Sequence, residues 1–129
     1  MTSSDDPEGK AGTRPSIDVL RLDDSIALLI PGAGLDGDQL DSVLRASIEN
    51  LIEEGVKGLV VDMRSFAMLD SSGLGALVAC RGDIAEANGV RLVLTGVGPS
   101  LHRTLARAML LSVLPVYETV ERAFAALRA

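Results

Sequence analysis

Two neighbouring hydroxyl groups stand between a carboxylate and a glycine in the stretch Asp70-Ser71-Ser72-Gly73. An apolar run precedes this stretch and helical spacing follows it, so it lies where a predicted strand gives way to a predicted helix. A serine at such a boundary can cap the helix, act as a nucleophile or accept a phosphate. These chemistries imply a structural protein, an enzyme and a switch respectively, and the rest of the sequence has to distinguish them.

A hydrolytic serine needs a sharp turn and a base, and the sequence offers neither. The elbow motif G-x-S-x-G requires glycine two residues before the serine, but Leu69 precedes Ser71 at that distance and Asp70 precedes Ser72. His102 is the only histidine, and its place near the start of a later predicted helix indicates solvent exposure. We therefore expect no catalytic residue and no enzymatic activity.

A second motif, G-x-G-x-x-G over residues 32–37, follows a predicted strand and precedes a predicted helix. This is the context of a dinucleotide-binding loop, and Asp62 ends the next predicted strand. However, Asp36, Asp38 and Asp41 lie at the helix start, where they would repel a pyrophosphate. A flexible strand-to-helix loop is the favoured interpretation, and nucleotide binding is the lesser alternative.

Length and charge narrow the class of protein. A chain of 129 residues suits one domain. The formal charge of −6 argues against direct binding of nucleic acid, because affinity for phosphate backbones requires clustered Lys and Arg. The near absence of aromatic residues, 2% of the chain, leaves no platform on which bases could stack.

No metal, cofactor or membrane segment is expected. Cys80 is the single cysteine, and with only His102 beside it the chain lacks the ligands of a structural zinc site, so Cys80 is predicted to be a small packing residue. No uncharged apolar stretch approaches the roughly 20 residues that span a bilayer, and the acidic, polar N-terminus does not resemble a signal peptide. We expect a cytoplasmic protein.

The pattern along the chain predicts an α/β domain. Residues 1–15 contain no large aliphatic residue after Met1 and are expected to form a disordered tail, with the domain over residues 16–129. Alternating strand and helix patterns predict a mixed five-stranded sheet, an N-terminal antiparallel hairpin followed by parallel strands, with about four helices. The predicted strands cover 17–22, 25–30, 58–63, 91–95 and 112–117, and the first three helices cover 38–54, 72–87 and 99–110.

From the local pattern alone, a helix cap is the favoured role for the two serines, since Asp and Ser are preferred capping residues. The predicted helix beyond them carries a small, uncharged outer face, which would admit a partner closely. This face consists of Gly75, Val78, Ala79 and Gly82.

Four segments resemble, in order and spacing, the STAS domain of anti-sigma factor antagonists, from about residue 17 to the end. They cover residues 59–63, 69–77, 89–94 and 113–117, and Asp-Ser-Ser-Gly-Leu is the most specific part. The resemblance implies the STAS fold. It also implies that the first serine of the motif, Ser71, is phosphorylated by a partner kinase that is also the anti-sigma factor. Ser72 is then expected to be the cap.

The chain departs from the family pattern at two places. The loop that reads Gly-Glu-Leu-Asp or Gly-Glu-Ile-Asp in the family reads Gly34-Leu35-Asp36 here, so the aspartate carries over and the glutamate does not. Where the family has Thr-Gly-Leu before the last strand, this chain has Ala108-Met109-Leu110. The end of the third helix is therefore expected to differ.

The resulting hypothesis is a partner switch without a cofactor. The unphosphorylated protein, a monomer or weak dimer, would bind an anti-sigma factor serine kinase and thereby release a sigma factor, and phosphorylation of Ser71 would end that binding. The expected partner contacts are Asp36, Asp70, Ser72, Gly73, Gly75, Val78, Ala79 and Gly82. The alternative is a non-switching STAS interaction module, such as a subunit of a stress-signalling scaffold or a transporter-associated protein, with nucleotide binding as an added option.

Overall fold

The structure, a computed structural model, describes residues 16–129, and the predicted N-terminal tail lies outside them. Its centre is a five-stranded sheet with the strands in chain order. The first pair is antiparallel, and the other neighbouring pairs are parallel, as predicted. The strands are β1 (Ile17–Arg21), β2 (Ile26–Pro31), β3 (Gly58–Asp62), β4 (Arg91–Thr95) and β5 (Val116–Tyr117).

Helices cover both faces of the sheet because alternate strand residues point to opposite sides. The first three helices pack on one face over a large apolar cluster, and the fourth packs on the other face over a smaller one. No helix in residues 16–129 has the length and apolar character needed to cross a membrane. The helices are α1 (Gly37–Glu53), α2 (Ser71–Ala79), α3 (Pro99–Arg107) and α4 (Val120–Arg128).

Local sequence signals explain several element boundaries. At the predicted hairpin turn, the Asp23 carboxylate accepts hydrogen bonds from the backbone amides of Ser25 and Ile26, both at 2.8 Å. These bonds, the one from Ser25 first, lower the pKa of Asp23. Gly55 follows α1 with φ of 90°, a left-handed conformation that glycine adopts readily, and the helix ends there, close to the predicted end at residue 54.

The second helix differs from its prediction. The expected single helix over 72–87 is α-helical only from Ser71 to Ala79, continues as a π-helix over Cys80–Ala85 and ends as a 3₁₀ turn over Glu86–Asn88. Because a π-helix has more residues per turn, it rotates the later side chains away from the positions expected at 3.6 residues per turn. Ala87, the last residue of the predicted helix, is exposed.

Two predicted boundaries near the C-terminus are also wrong. The third helix ends at Arg107 rather than at residue 110, because Met109 adopts a left-handed φ of 61°. The last strand contains Val116 and Tyr117 only, rather than residues 112–117. Pro115 has no amide hydrogen to donate to β4, so it contributes only its carbonyl, which accepts the amide of Leu94 at 2.8 Å.

Candidate functional site

The motif begins α2 directly after the loop that leaves the carboxyl end of β3. Asp70 is the N-cap of this helix, since its backbone is extended and its carboxylate accepts the amide of Gly73 at 2.9 Å. The amide of Leu74 then bonds to the carbonyl of Asp70 at 3.0 Å. The prediction that Ser72 caps the helix is therefore wrong, because Asp70 holds that position and both serines lie inside the first turn.

Ser71 is the first helical residue and is exposed to solvent. Its side chain forms no hydrogen bond with any residue of the described chain, 16–129, so the hydroxyl is accessible. The amide groups of a helix's first turn carry a partial positive charge, which favours a negative group at this position. The geometry therefore suits a hydroxyl that accepts a phosphate.

Ser72 lies against the first residue of α1. A Cβ atom added to Gly37 would overlap the Ser72 hydroxyl oxygen and would lie 2.7 Å from the Ser72 carbonyl carbon. The third glycine of the G-x-G-x-x-G motif thus allows the N-terminal ends of α1 and α2 to meet. This contact explains the glycine without a nucleotide, and it gives the two serines different surroundings.

The other members of that glycine motif also have roles within the fold. Gly32 pairs with Ser16 beside β1, and Gly34 adopts a left-handed φ of 84°. Asp62, at the end of the next strand, is buried and forms an ion pair of 2.8 Å with Arg64. Strand pairing, a left-handed turn and an ion pair therefore account for Gly32, Gly34 and Asp62 respectively.

Asp36 is the N-cap of α1. Its carboxylate accepts the amide of Gln39 at 2.8 Å, while the Gln39 side chain accepts the amide of Asp36 at 2.9 Å. This reciprocal pair is a capping box. Asp36 and Asp70 thus cap neighbouring helices, and their carboxylates lie on the rim of one groove.

That groove, named here the Met68 groove, lies between the N-terminal ends of α1 and α2 and the loop before the motif. Its apolar lining consists of Leu35, Leu40, Phe66, Met68 and Leu69. Met68 is 55% exposed and adds accessible apolar area to the groove. Sequence reasoning missed Met68, although a methionine in a short loop directly before the motif was the available signal.

The small, uncharged outer face predicted for the second helix has fewer exposed residues in the structure than expected. Gly75 is exposed, and a Cβ atom built there would meet no atom within 4 Å. Val78 is 37% exposed. Ala79 and Gly82 are half-buried, and Gly82 lies in the π-helical segment, so it does not continue the stripe.

The surface around the two serines is acidic. A second shallow groove beside Ser72 and Gly75 carries Asp38 and Asp41. Asp41 forms an ion pair of 3.1 Å with Arg45, but Arg45 does not line the groove. Neither this groove nor the Met68 groove is lined by a lysine or an arginine. A negative group on Ser71 would therefore find no cation among the residues that line the two grooves.

Cys80 is a packing residue, as predicted. The side chain is buried, and burial first, with the nearby Asp41 carboxylate second, raises the pKa of the thiol to about 11. His102 is exposed on α3, also as predicted, and residues 16–129 contain no hydrogen bond from its side chain to Ser71. The same residues contain no group of three or more His, Cys, Asp or Glu that could hold a metal ion.

The family model of the STAS domain matches residues 35–123. The chain belongs to the STAS domain family. An anti-sigma factor antagonist from Mycobacterium paratuberculosis is 23% identical with a TM-score of 0.69, over 92% of this chain and 98% of the other. The phosphorylated form of SpoIIAA, the Bacillus cell fate determinant, is 20% identical with a TM-score of 0.64, over 88% of this chain and 100% of the other.

A third STAS-like structure is a sulfate transporter family protein from Wolinella succinogenes, 25% identical with a TM-score of 0.65, over 80% of this chain and 84% of the other. The strand order, the hairpin and the four helices therefore belong to a shared fold. Within this STAS domain, the exposed Ser71 and the Met68 groove form the candidate site.

Proposed function

We propose that this protein is an anti-sigma factor antagonist that binds an anti-sigma factor serine kinase when unphosphorylated and is released by phosphorylation of Ser71. The observation that carries the proposal is the exposed hydroxyl of Ser71 on the first turn of α2, which has no hydrogen-bond partner within residues 16–129 and lies beside the Met68 groove. Membership of the STAS family and the likeness to the phosphorylated form of SpoIIAA support it. The protein acts as a binding partner in the cytoplasm, and the kinase supplies the catalysis.

Ser71 rather than Ser72 is the phosphate acceptor because their surroundings differ. The Ser72 hydroxyl faces the backbone of Gly37, and even one added carbon at that contact would overlap it. Ser72 is also exposed, but a phosphate on it would have to turn away from α1. A phosphate on Ser71 would extend into solvent.

The partner contact surface combines the Met68 groove with the exposed part of α2. The groove supplies apolar area, and the carboxylates of Asp36 and Asp70 on its rim favour a basic partner surface. Gly75 and Val78 allow a close approach because they are small or uncharged and exposed. Gly73 and Ser72 act mainly by fixing the start of α2, and the half-buried Ala79 and Gly82 contribute less area.

A phosphate would change partner binding more than folding. It adds about −1.5 to −2 charges, and the helix dipole favours that charge by about 0.3 to 1 kcal/mol. Because no cation lines the adjacent grooves, the protein itself does not neutralise the phosphate. Where the partner's contact with Ser71 is itself apolar or acidic, the phosphate would be desolvated or repelled, and a cost of about 3 kcal/mol would weaken kinase binding roughly a hundredfold.

A non-switching STAS interaction module is the second candidate. The likeness to the sulfate transporter family protein favours it, because that structure has a related fold. Such a module would use the same groove without a phosphate on Ser71. The two candidates therefore predict different effects of a negative charge at this serine.

The test compares Ser71→Ala and Ser71→Asp as immobilised baits in lysate of cells that naturally express the protein, with MgATP present. We expect one protein kinase to be retained at least about tenfold more by Ser71→Ala, and the purified kinase to phosphorylate the wild-type chain on Ser71 alone. Ser72→Ala serves as the matched control and should still be phosphorylated on Ser71. Equal retention by both baits, with no phosphate on Ser71, would leave the non-switching module as the better description.

A further inference from the structure

Met109 combines two unfavourable features at one residue. It is 82% exposed, more than any of the other exposed large apolar side chains of the described chain. Its φ of 61° is in the left-handed region, which disfavours residues with a Cβ atom. Neither feature helps the isolated fold, so the side chain is expected to have a contact outside it.

The helix end around Met109 is otherwise well formed. The amide of Leu110 donates to the carbonyl of Leu105 at 2.9 Å, and the amide of Met109 donates to the carbonyl of Ala106 at 3.1 Å. These two bonds form the Schellman ending, in which glycine usually takes the left-handed position. A glycine at residue 109 would keep both bonds, so the hydrogen bonding does not require the methionine.

The chain segment that contains Met109 is basic, unlike most of the sequence. Residues 87–117 contain no aspartate or glutamate, although the chain carries a net charge of −6. Arg103 and Arg107 are exposed on α3, and neither forms an ion pair with another residue of the part that the structure describes. We name Arg103, Arg107 and Met109 the α3 surface.

A groove between the end of α1 and the π-helical segment has the complementary character. Ile52 and Ile84 provide apolar lining, and Glu49, Glu53 and Asp83 are exposed on its rim. Within residues 16–129 these three carboxylates form no ion pair. We name this the Glu53 groove.

We propose that the α3 surface of one copy of this chain binds the Glu53 groove of a second copy. The unbranched Met109 side chain enters between Ile52 and Ile84, and Arg103 and Arg107 meet the carboxylates of the rim. Charge complementarity selects this occupant. Within residues 16–129, the α3 surface has two arginines and the Glu53 groove has three carboxylates that form no ion pair. Two different surfaces meet, so the contact is head-to-tail and leaves one free surface at each end of a dimer.

The first test is sedimentation velocity on the full chain at concentrations up to about 1 mM, in about 50 mM and about 500 mM salt. We expect the weight-average mass to rise above the monomer value of 13.5 kDa with concentration at low salt and to fall back at high salt. Met109→Gly should weaken association at least about tenfold, because the side chain that becomes buried in the contact is lost. Leu20→Ala, which removes an apolar side chain that is 53% exposed on the edge strand β1, is the matched control and should have no effect.

A charge exchange identifies the two surfaces. Arg107→Glu and Glu53→Arg should each weaken association at least about tenfold, while the double variant should recover most of it, since opposite charges again meet. Melting curves verify that each variant folds, and Met109→Gly should melt no lower than the parent. A chain that stays monomeric at low salt, or a double variant that is as weak as the single ones, would overturn the proposal.

Discussion

Adding one methyl group at Gly37 should separate the N-terminal ends of α1 and α2 and thereby disturb the site. In the Gly37→Ala variant the new Cβ atom would overlap the Ser72 hydroxyl and lie 2.7 Å from the Ser72 carbonyl carbon. The hydroxyl can rotate, but the carbonyl carbon is backbone, and carbon atoms pack at about 3.5 Å or more. The helices must therefore move apart by about 0.8 Å, and overpacking of this kind costs about 2 kcal/mol.

The assay is chemical denaturation followed by circular dichroism, with the melting temperature as a second measure. We expect Gly37→Ala to lower the free energy of unfolding by about 2 kcal/mol and the melting temperature by roughly 6 to 10 °C. Adding Ser72→Ala should restore only part of the loss, because the carbonyl carbon remains. If Gly37→Ala unfolds within about 0.5 kcal/mol of the parent, the close contact between the two helices is not a constraint and this account of Gly37 is wrong.

Substitutions at three further positions test the cap of α2, its exposed face and the packing of the residue that follows it. Asp70→Ala should lower the free energy of unfolding by about 1 kcal/mol, whereas Asp70→Asn should cost less because asparagine also caps; equal losses would argue against the capping role. Gly75→Ala should raise the free energy of unfolding by about 0.5 to 1 kcal/mol, since its Cβ atom meets open space, yet should reduce kinase retention in the bait experiment; unchanged retention would remove Gly75 from the contact surface. The buried Cys80 thiol, with its pKa raised to about 11, keeps its proton longer than the same thiol in the unfolded chain, which titrates near 8.5. The free energy of unfolding should therefore fall as the pH rises from about 9 to 11, and Cys80→Ala should flatten that slope; identical slopes would contradict the burial argument.

The sequence predicted the sheet and the order of its elements because period and turn chemistry are local properties. Apolar runs marked the buried strands, and the hairpin turn and the end of α1 contain residues with matching local preferences, Asp23 and Gly55. The packed Cys80 was also predictable, since the sequence lacks the ligands that a zinc site at this cysteine would need. The STAS fold itself was implied by the resemblance of four segments, in order and spacing, to that family.

The parts that could not be predicted depend on contacts between distant residues or on competing local choices. Asp and Ser cap helices almost equally well, so only the extended backbone at Asp70 shows that it, and not Ser72, is the cap. The reason for Gly37 is a contact with a residue in another helix. The π-helical segment after Ala79 has no local signal in the sequence. The sequence therefore predicts an outer face that extends to Gly82, whereas the structure ends it before that residue.

The central claim is that Ser71 carries a regulatory phosphate, and one peptide tests it directly. Trypsin cleaves after Arg64 and Arg81, so the peptide of residues 65–81 contains Ser65, Ser71 and Ser72 together. Fragment-ion mass spectrometry of this peptide, from cells that naturally express the protein with and without stress, locates any phosphate. We predict one phosphate, on Ser71, whose occupancy changes with the condition. A peptide that carries no phosphate under any condition, or carries it on Ser65 or Ser72 instead, would contradict the account.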